Sequence, residues 1–312
     1  MLTHSYHWLV TGGAGFIGSH IVKELIQQGQ KVSVLDNLSG GKLENLSTVQ
    51  DKITFVQGDI CDFNTIKKAC HGINYVLHLA ALVSVVESLA KPQETVAVNV
   101  QGTLNVLEAA RQCGTKRVVF SSSAAVYGTR PELPYKEETP IDCQSPYAWS
   151  KQAGAELCQF YTKAYGLDTV TLRYFNVFGT GQNPNSTYAA VIAKFIQLAA
   201  KNQPLSIDWD GLQSRDFVSV KDVVQANLLA AFKAIPGEIY NVASGRTYSL
   251  LELADMIQRI SGRKLAHISC PRRPGDVHIS SADITKITAL GYHPTVTLEE
   301  GLKEMWEEAT IQ

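Results

Sequence analysis

This chain lacks a charge of one sign: 28 lysines and arginines stand against 29 aspartates and glutamates, a net of −1. So balanced a composition argues against the basic stripe of a nucleic-acid binder and the polybasic patch of a membrane-surface protein. Long apolar runs are missing too. No stretch reaches the roughly 18 consecutive apolar residues of a membrane span, and the opening Met1-Leu2-Thr3-His4-Ser5-Tyr6 has no charged segment leading into one. Cysteine is sparse and scattered. Cys61, Cys70, Cys113, Cys143, Cys158 and Cys270 form no Cys-x-x-Cys pair and have no histidine at zinc-ligand spacing. Free buried thiols in a reducing cytoplasm are the expectation, with no metal. His78, inside the apolar run from Tyr75 to Ala80, reads as a hydrogen-bonded core histidine. Proline-rich linkers, repeats and low-complexity tracts are also absent, so the 312 residues read as one large domain, or a large and a small lobe sharing a cleft.

What is present is an alternation. Short apolar runs at 8–11, 31–35, 53–56, 75–79, 116–120 and 168–173 read as strands. Segments 16–28, 62–71, 94–113 and 146–165 between them carry apolar residues at helical spacing. That is the α/β pattern of a parallel sheet covered on both faces. Past residue 176 the loops lengthen and helices are expected at 186–201, 220–233, 249–261 and 297–310. The division is therefore 1–175 for the sheet domain and 176–312 for a mainly substrate-binding lobe, partly interleaved with it. Ligands of open α/β sheets sit beyond the carboxyl ends of the strands, which puts the chemistry just after residues 11, 36, 80, 120 and 173.

The first of those places is the most informative. Trp8-Leu9-Val10-Thr11-Gly12-Gly13-Ala14-Gly15-Phe16-Ile17-Gly18 runs from strand through a glycine turn into a helix. In such a turn Gly12, Gly15 and Gly18 permit a tight turn, close approach of a pyrophosphate and close helix packing. The helix opening at Phe16 and Ile17 aims free N–H groups at the phosphates. Asp36 ends the second strand, where an acid binds ribose hydroxyls and repels a 2′-phosphate, so NAD is favoured over NADP. The plain alternative is an ordinary glycine turn with a solvated Asp36.

Past the fifth strand stands Ser121-Ser122-Ser123-Ala124-Ala125-Val126-Tyr127-Gly128, and later Ser145-Pro146-Tyr147-Ala148-Trp149-Ser150-Lys151. Tyr147 and Lys151 share a helix face, and Pro146 suits the opening turn. Lowering a phenol by ~3 pKa units takes roughly 4 kcal/mol, which one ammonium at about 4 Å supplies at an effective dielectric of ~20, and the positive nicotinamide ring of a bound NAD would add to it. Tyr147 is then a candidate base, Lys151 its activator and Ser123 a hydroxyl holding the reacting oxygen. A surface tyrosine and lysine on a helix is the plain alternative.

Together these residues resemble the extended short-chain dehydrogenase/reductase family, over essentially the whole chain and most closely its nucleotide-sugar 4-epimerase branch. The segments Ser121 to Gly128, Tyr147 to Lys151, Arg173-Tyr174-Phe175-Asn176-Val177-Phe178-Gly179 and Arg273-Pro274-Gly275-Asp276-Val277 carry the likeness. It implies a Rossmann-type doubly wound parallel sheet with a smaller C-terminal substrate lobe. It also implies tightly held NAD and a cycle of oxidation and re-reduction at C4 of a UDP-sugar through a 4-keto intermediate. By the same likeness the cofactor touches Asn37, Asp59, Ile60, Leu79, Ala80, Ala81, Asn99, Ser121 and Tyr174. Asn176, Arg215 and Arg273 hold the pyrophosphate, with Asp276 beside them. For Arg215 and Arg273 the alternative is surface ion pairing with Asp216 or Asp276; for Asp59 it is capping the next helix.

Ala124 and Ala125 follow Ser123 where the related 4,6-dehydratases resemble Thr-Asp-Glu, and two methyl groups cannot serve as acid and base in an elimination. A dehydratase, another epimerase of the family and a non-catalytic NAD-binding sensor are the rival readings. Ser84, and Tyr188 and Ala189 within Pro184 to Ala190, resemble the subgroup acting on N-acetylated UDP-hexosamines. So does Ser280, because in relatives a tyrosine there closes the sugar pocket to an acetamide and a small residue leaves it room. A simple loop serine is the alternative. Helices 94–113 and 146–165 resemble those that pair relatives into homodimers.

Overall fold

A computed structural model describes residues 4–184, 191–271 and 277–311. Six strands follow the short apolar runs: β1 (His7–Thr11), β2 (Lys31–Asp36), β3 (Ile53–Gln57), β4 (Tyr75–His78), β5 (Arg117–Ser123) and β6 (Asp168–Tyr174). With the strand Ile239–Val242 they form one seven-stranded parallel sheet, ordered β3-β2-β1-β4-β5-β6 and then Ile239–Val242. Helices cover both faces, which is why the strands are apolar on both. Trp8, Val10, Val34 and Leu77 pack into one layer, and Leu9, Val76, Val118 and Phe120 into the other.

The order reverses at β1. Its two neighbours, β2 and β4, leave in opposite directions, and Thr11 is in register with both Leu35 and His78. A crevice opens beyond the carboxyl ends at such a switch point.

The long helix Pro146–Tyr165 has the ends its sequence asks for. Ser145 caps it by accepting from Ala148 N, Pro146 takes the first position, and Gly166 closes it in the left-handed region. The expected helix 94–113 differs. It begins at Pro92 and runs to Gln112, but Ala97–Gln101 is wound as a π-turn, and one extra residue per turn there leaves no mark in the apolar spacing.

After residue 176 the strands Asn176–Phe178, Leu205–Asp208, Ser214–Ser219, Thr247–Ser249, His267–Cys270 and Ile279–Ser280 form two small sheets. The helices Val191–Ala200, Leu250–Ser261 and Leu298–Ile311 bury Phe195, Ile196, Leu253, Ile257 and Leu302 around Phe178 and Phe217. The helix Val220–Lys233 does not stay with them. Its Val223, Ala226 and Ala230 join the core under the helix Phe16–Gln27, and Ile239–Val242 adds the seventh strand.

The six cysteines are unpaired, yet only Cys70 and Cys158 are buried. The expectation of buried thiols fails for the other four because they sit in loops, at a helix end or near a strand end. Among the described residues no helix is long and apolar enough to cross a membrane.

Candidate active site

The glycine turn after β1 is built from three different constraints. Gly12 lies at φ +70°, and a Cβ there would meet Ala80 N at 2.7 Å. A Cβ on Gly18 would strike Gly12 O at 2.2 Å, so the helix start packs directly on the turn. At Gly15 a methyl group would meet only Gly12 O, at 3.2 Å, and would otherwise fill the open space over the turn. Gly15 also caps the helix Phe16–Gln27 with no side chain bonding its first N–H groups. An open cradle below bare helix N–H groups suits a pyrophosphate, so these residues fit a dinucleotide.

Asp36 is buried, not solvated. One carboxylate oxygen accepts from Ala14 N at 2.9 Å and the other from Leu38 N at 2.8 Å, each keeping lone-pair capacity for a ribose hydroxyl. Beside it Asn37 donates to Asp59 at 2.8 Å. The cap of the next helix is Asp62, bonded to Asn64 N, which removes the capping alternative for Asp59. Ile60 is buried in the core and gives its carbonyl to Asn105. Leu79 and Ala80 lean on the glycine turn: Leu79 N donates to Thr11 O and Ala80 N to Thr11 Oγ1.

On the far side of the crevice β5 delivers the serines and the helix Pro146–Tyr165 delivers Tyr147 and Lys151. The Ser123 hydroxyl lies near enough to Tyr147 to pull its phenol down, and Ser123 Oγ accepts from Ala125 N. Lys151 is buried and donates to Ser121 O at 2.9 Å. Its ammonium stands 6.0 Å from the centre of the Tyr147 ring.

This geometry corrects one expectation. Burial pushes the Tyr147 phenol up and outweighs the Ser123 hydroxyl, which pulls it down. Burial also pushes Lys151 down to about 8, leaving it cationic at neutral pH. Lysine alone does not make Tyr147 a phenolate.

Two residues expected at the cofactor hold hydrogen bonds within the protein. Tyr174 bonds Ser121 Oγ at 2.9 Å and Asn227 at 3.0 Å, and burial drives it up to about 12. The Asn99 amide accepts from Leu82 N and donates to Leu82 O and Ser150 Oγ. Ser84 caps the short helix Val85–Ala90 by accepting from Glu87 N at 3.0 Å, keeping its own proton to donate.

Asn176 and Arg215 meet at a second cavity, of about 140 Å³, between the helix Val191–Ala200 and the strands Leu205–Asp208 and Ser214–Ser219. Asn176 donates to Asp216 O at 3.1 Å. Asp216 itself is buried and accepts from Ser244 and Gly245, and burial raises it to about 6. Ser280 pairs in register with Arg215. The sequence reading missed the rest of this wall, including Lys194, Phe195, Gln213 and Phe217. Aromatic spacing on a helix and a strand marks a core, and only the fold turns part of it toward a cavity. Tyr188, Ala189, Arg273 and Asp276 lie outside the described residues.

Comparison with known proteins follows the same lines. The model of the NAD dependent epimerase/dehydratase family matches residues 8–243. A putative UDP-glucose 4-epimerase of Methanocaldococcus jannaschii is 41% identical over 299 residues, 95% of this chain and 96% of its own. The structure of a UDP-N-acetylglucosamine 4-epimerase from Methanobrevibacter ruminantium, in complex with UDP-N-acetylmuramic acid, superposes with a TM-score of 0.95 at 39% identity, covering 98% of both chains. A Thermus thermophilus UDP-glucose 4-epimerase in complex with NAD gives 0.90 at 38% identity over 97% of this chain and 98% of the other.

Proposed function

The chain belongs to the NAD dependent epimerase/dehydratase family, and we propose that it interconverts UDP-N-acetylglucosamine and UDP-N-acetylgalactosamine by inverting C4. It is a nucleotide-sugar 4-epimerase that works with NAD. The observation behind the N-acetyl reading is Ser280. It stands in register with Arg215, the residue assigned to the pyrophosphate, and offers a hydroxymethyl group where an aromatic ring would fill the space of an acetamide. The likeness to a UDP-N-acetylglucosamine 4-epimerase supports it.

The glycine turn, Asp36, the Asn37–Asp59 pair, Ile60 and Leu79 to Ala81 hold the dinucleotide in this reading. NAD, when bound, supplies the hydride acceptor and, in its oxidised form, a positive charge. Burial holds the Tyr147 phenol high, and a positive charge supplied by bound oxidised NAD would favour its deprotonation. Tyr147 takes the proton of the C4 hydroxyl and returns it to the sugar oxygen. Ser123 holds that oxygen, and Lys151, fixed by Ser121 O, keeps the negative phenolate compensated. Asn176, Arg215 and Arg273 hold the pyrophosphate as the sugar turns over, with Ser84, Tyr188, Ala189 and Asp276 around the ligand. Ala124 and Ala125, lacking acid or base, leave no group there for a dehydration. The reading places the enzyme in the cytoplasm as a homodimer, with the sheet domain at 1–175 and a sugar lobe interleaved with it.

The test is two separate incubations, with UDP-N-acetylglucosamine and with UDP-glucose, without added NAD, followed by product analysis. Both C4 epimers are expected, the N-acetylated one faster. Tyr147→Phe should lower kcat by at least about 10², and near-normal turnover in that variant would remove the base. Ser280→Tyr should suppress the N-acetylated substrate and spare UDP-glucose. Equal loss of both contradicts the pocket assignment.

A further inference from the structure

Tyr147 is gripped at both ends of its backbone by serines to which the chemistry above gives no part. Its N–H is second in the helix and has no acceptor within it. Ser88 Oγ accepts that N–H at 3.1 Å, from 59 residues away in sequence. Ser88 spends its own proton on Val85 O at 2.6 Å, so toward Tyr147 it acts purely as an acceptor. At the other end Ser150 Oγ donates to Tyr147 O at 2.8 Å and accepts from Asn99 Nδ2 at 2.9 Å. Asn99, set in the π-turn, then holds the backbone of Leu82 twice, at 2.8 and 2.9 Å. Ser88 and Ser150 are 1% and 0% exposed. Both ends of the grip therefore close on one segment, Leu82–Ser88, which also carries Ser84.

We propose that Ser88 and Ser150 are positioning residues that tie the Leu82–Ser88 segment to the Tyr147 phenol, so that sugar contact on this segment sets the phenol against Ser123. The proposal rests on Tyr147 being the base. A reacting group displaced by about 1 Å can lose about 10²-fold in rate, and a helix's first turn, with its orphan N–H groups, is the part of it that most readily frays. Removing the Ser88 acceptor frees the turn that bears the phenol while leaving the glycine turn and Asp36 untouched.

The experiment uses the full chain with its bound NAD and compares Ser88→Ala and Ser150→Ala with Thr297→Ala. Thr297 accepts from Glu300 N at the start of the helix Leu298–Ile311, so its loss also removes a helix-start acceptor, away from the crevice. Ser88→Ala is expected to lower kcat about 10-fold or more, with KM for the UDP-sugar and NAD content close to wild type. The pH at which kcat is half-maximal should rise, because a displaced phenol moves away from the Ser123 hydroxyl that pulls it down. Thr297→Ala should lower Tm and leave kcat alone. Ser150→Ala should follow Ser88→Ala. A wild-type kcat and pH profile in both serine variants overturns the grip, as does a kcat that falls only in step with folded fraction or NAD content. If Tyr147→Phe is inactive and the serine variants are normal, the grip alone is wrong; if Tyr147→Phe is active, the base assignment is.

Discussion

His78 shows how far a single buried residue constrains the site. Thr103 gives its proton to Asn99 O at 2.6 Å, so its oxygen accepts from His78 Nε2 at 3.0 Å. His78 therefore carries its proton on Nε2, and Nδ1 accepts from Thr11 Oγ1 at 2.7 Å, while Thr11 in turn accepts from Ala80 N. One tautomer runs a chain of donors from Ala80 N, in the loop beside the glycine cradle, to Asn99 O in the π-turn. Burial, with the Lys151 charge as a lesser cause, lowers His78 to about 3. An unfolded histidine binds a proton below about 6.5 and the folded one does not until about 3, so the stability from the neutral ring is full above 6.5 and is lost as pH falls toward 3. The loss approaches about 1.4 kcal/mol per pH unit and totals on the order of 4–5 kcal/mol. His78→Gln should be less stable than wild type at pH 7, by about 1–3 kcal/mol for the broken chain. The gap should narrow in thermal melts taken from pH 7 to pH 4; parallel profiles would show that His78 does not charge on unfolding.

At the scale of elements, the catalytic helix is seated on β5 through a residue its sequence pattern does not advertise. A Cβ on Gly154 would stand 2.4 Å from Phe120 Cζ, and the Lys151 ammonium lies 5.2 Å over the same ring. Gly154→Ala should push helix and strand apart, cost about 1–3 kcal/mol, and lower kcat as Lys151 leaves Ser121 O; unchanged Tm and turnover would refute this seating. The strands β1 to β6, the glycine turn, Asp36 and the Tyr147–Lys151 pair were legible because each depends on local spacing. The strand Ile239–Val242 was not. It is short, and its Asn241 is buried only because Tyr127 Oη donates to it and Asn241 in turn donates to Tyr135 O. Gly154, Ser88 and Ser150 escaped for the same reason, since a glycine or serine in a helix acquires meaning only from what packs on it. The π-turn escaped because one added residue leaves apolar periodicity nearly intact, and with it went the bonds from Asn99 to Leu82 and Ser150.

On the scale of the whole molecule the chain crosses between lobes and returns: Val220–Lys233 packs under the first helix, Ile239–Val242 closes the sheet, and the chain then goes back to the small sheets. Such interleaving ties the cavity at Asn176 and Arg215 to the same framework as the cofactor crevice. The outer face of the catalytic helix is the part left unfinished. Trp149 and Phe160 are 49% and 53% exposed and lie three turns apart on one face, beside the helix beginning at Pro92, where Val96 and Ala97 border a shallow hollow. In the proposed homodimer the same pair of helices from a second copy would cover these aromatics, as a two-fold interface requires. A buried aromatic anchor at such an interface is worth about 2 kcal/mol, roughly 30-fold in Kd. Phe160→Glu should weaken the dimer by at least that factor in sedimentation velocity, and Trp149→Glu with Phe160→Glu should give monomers with the fold intact by circular dichroism. A wild-type chain that sediments as a monomer, or a double variant as dimeric as wild type, would place the interface elsewhere.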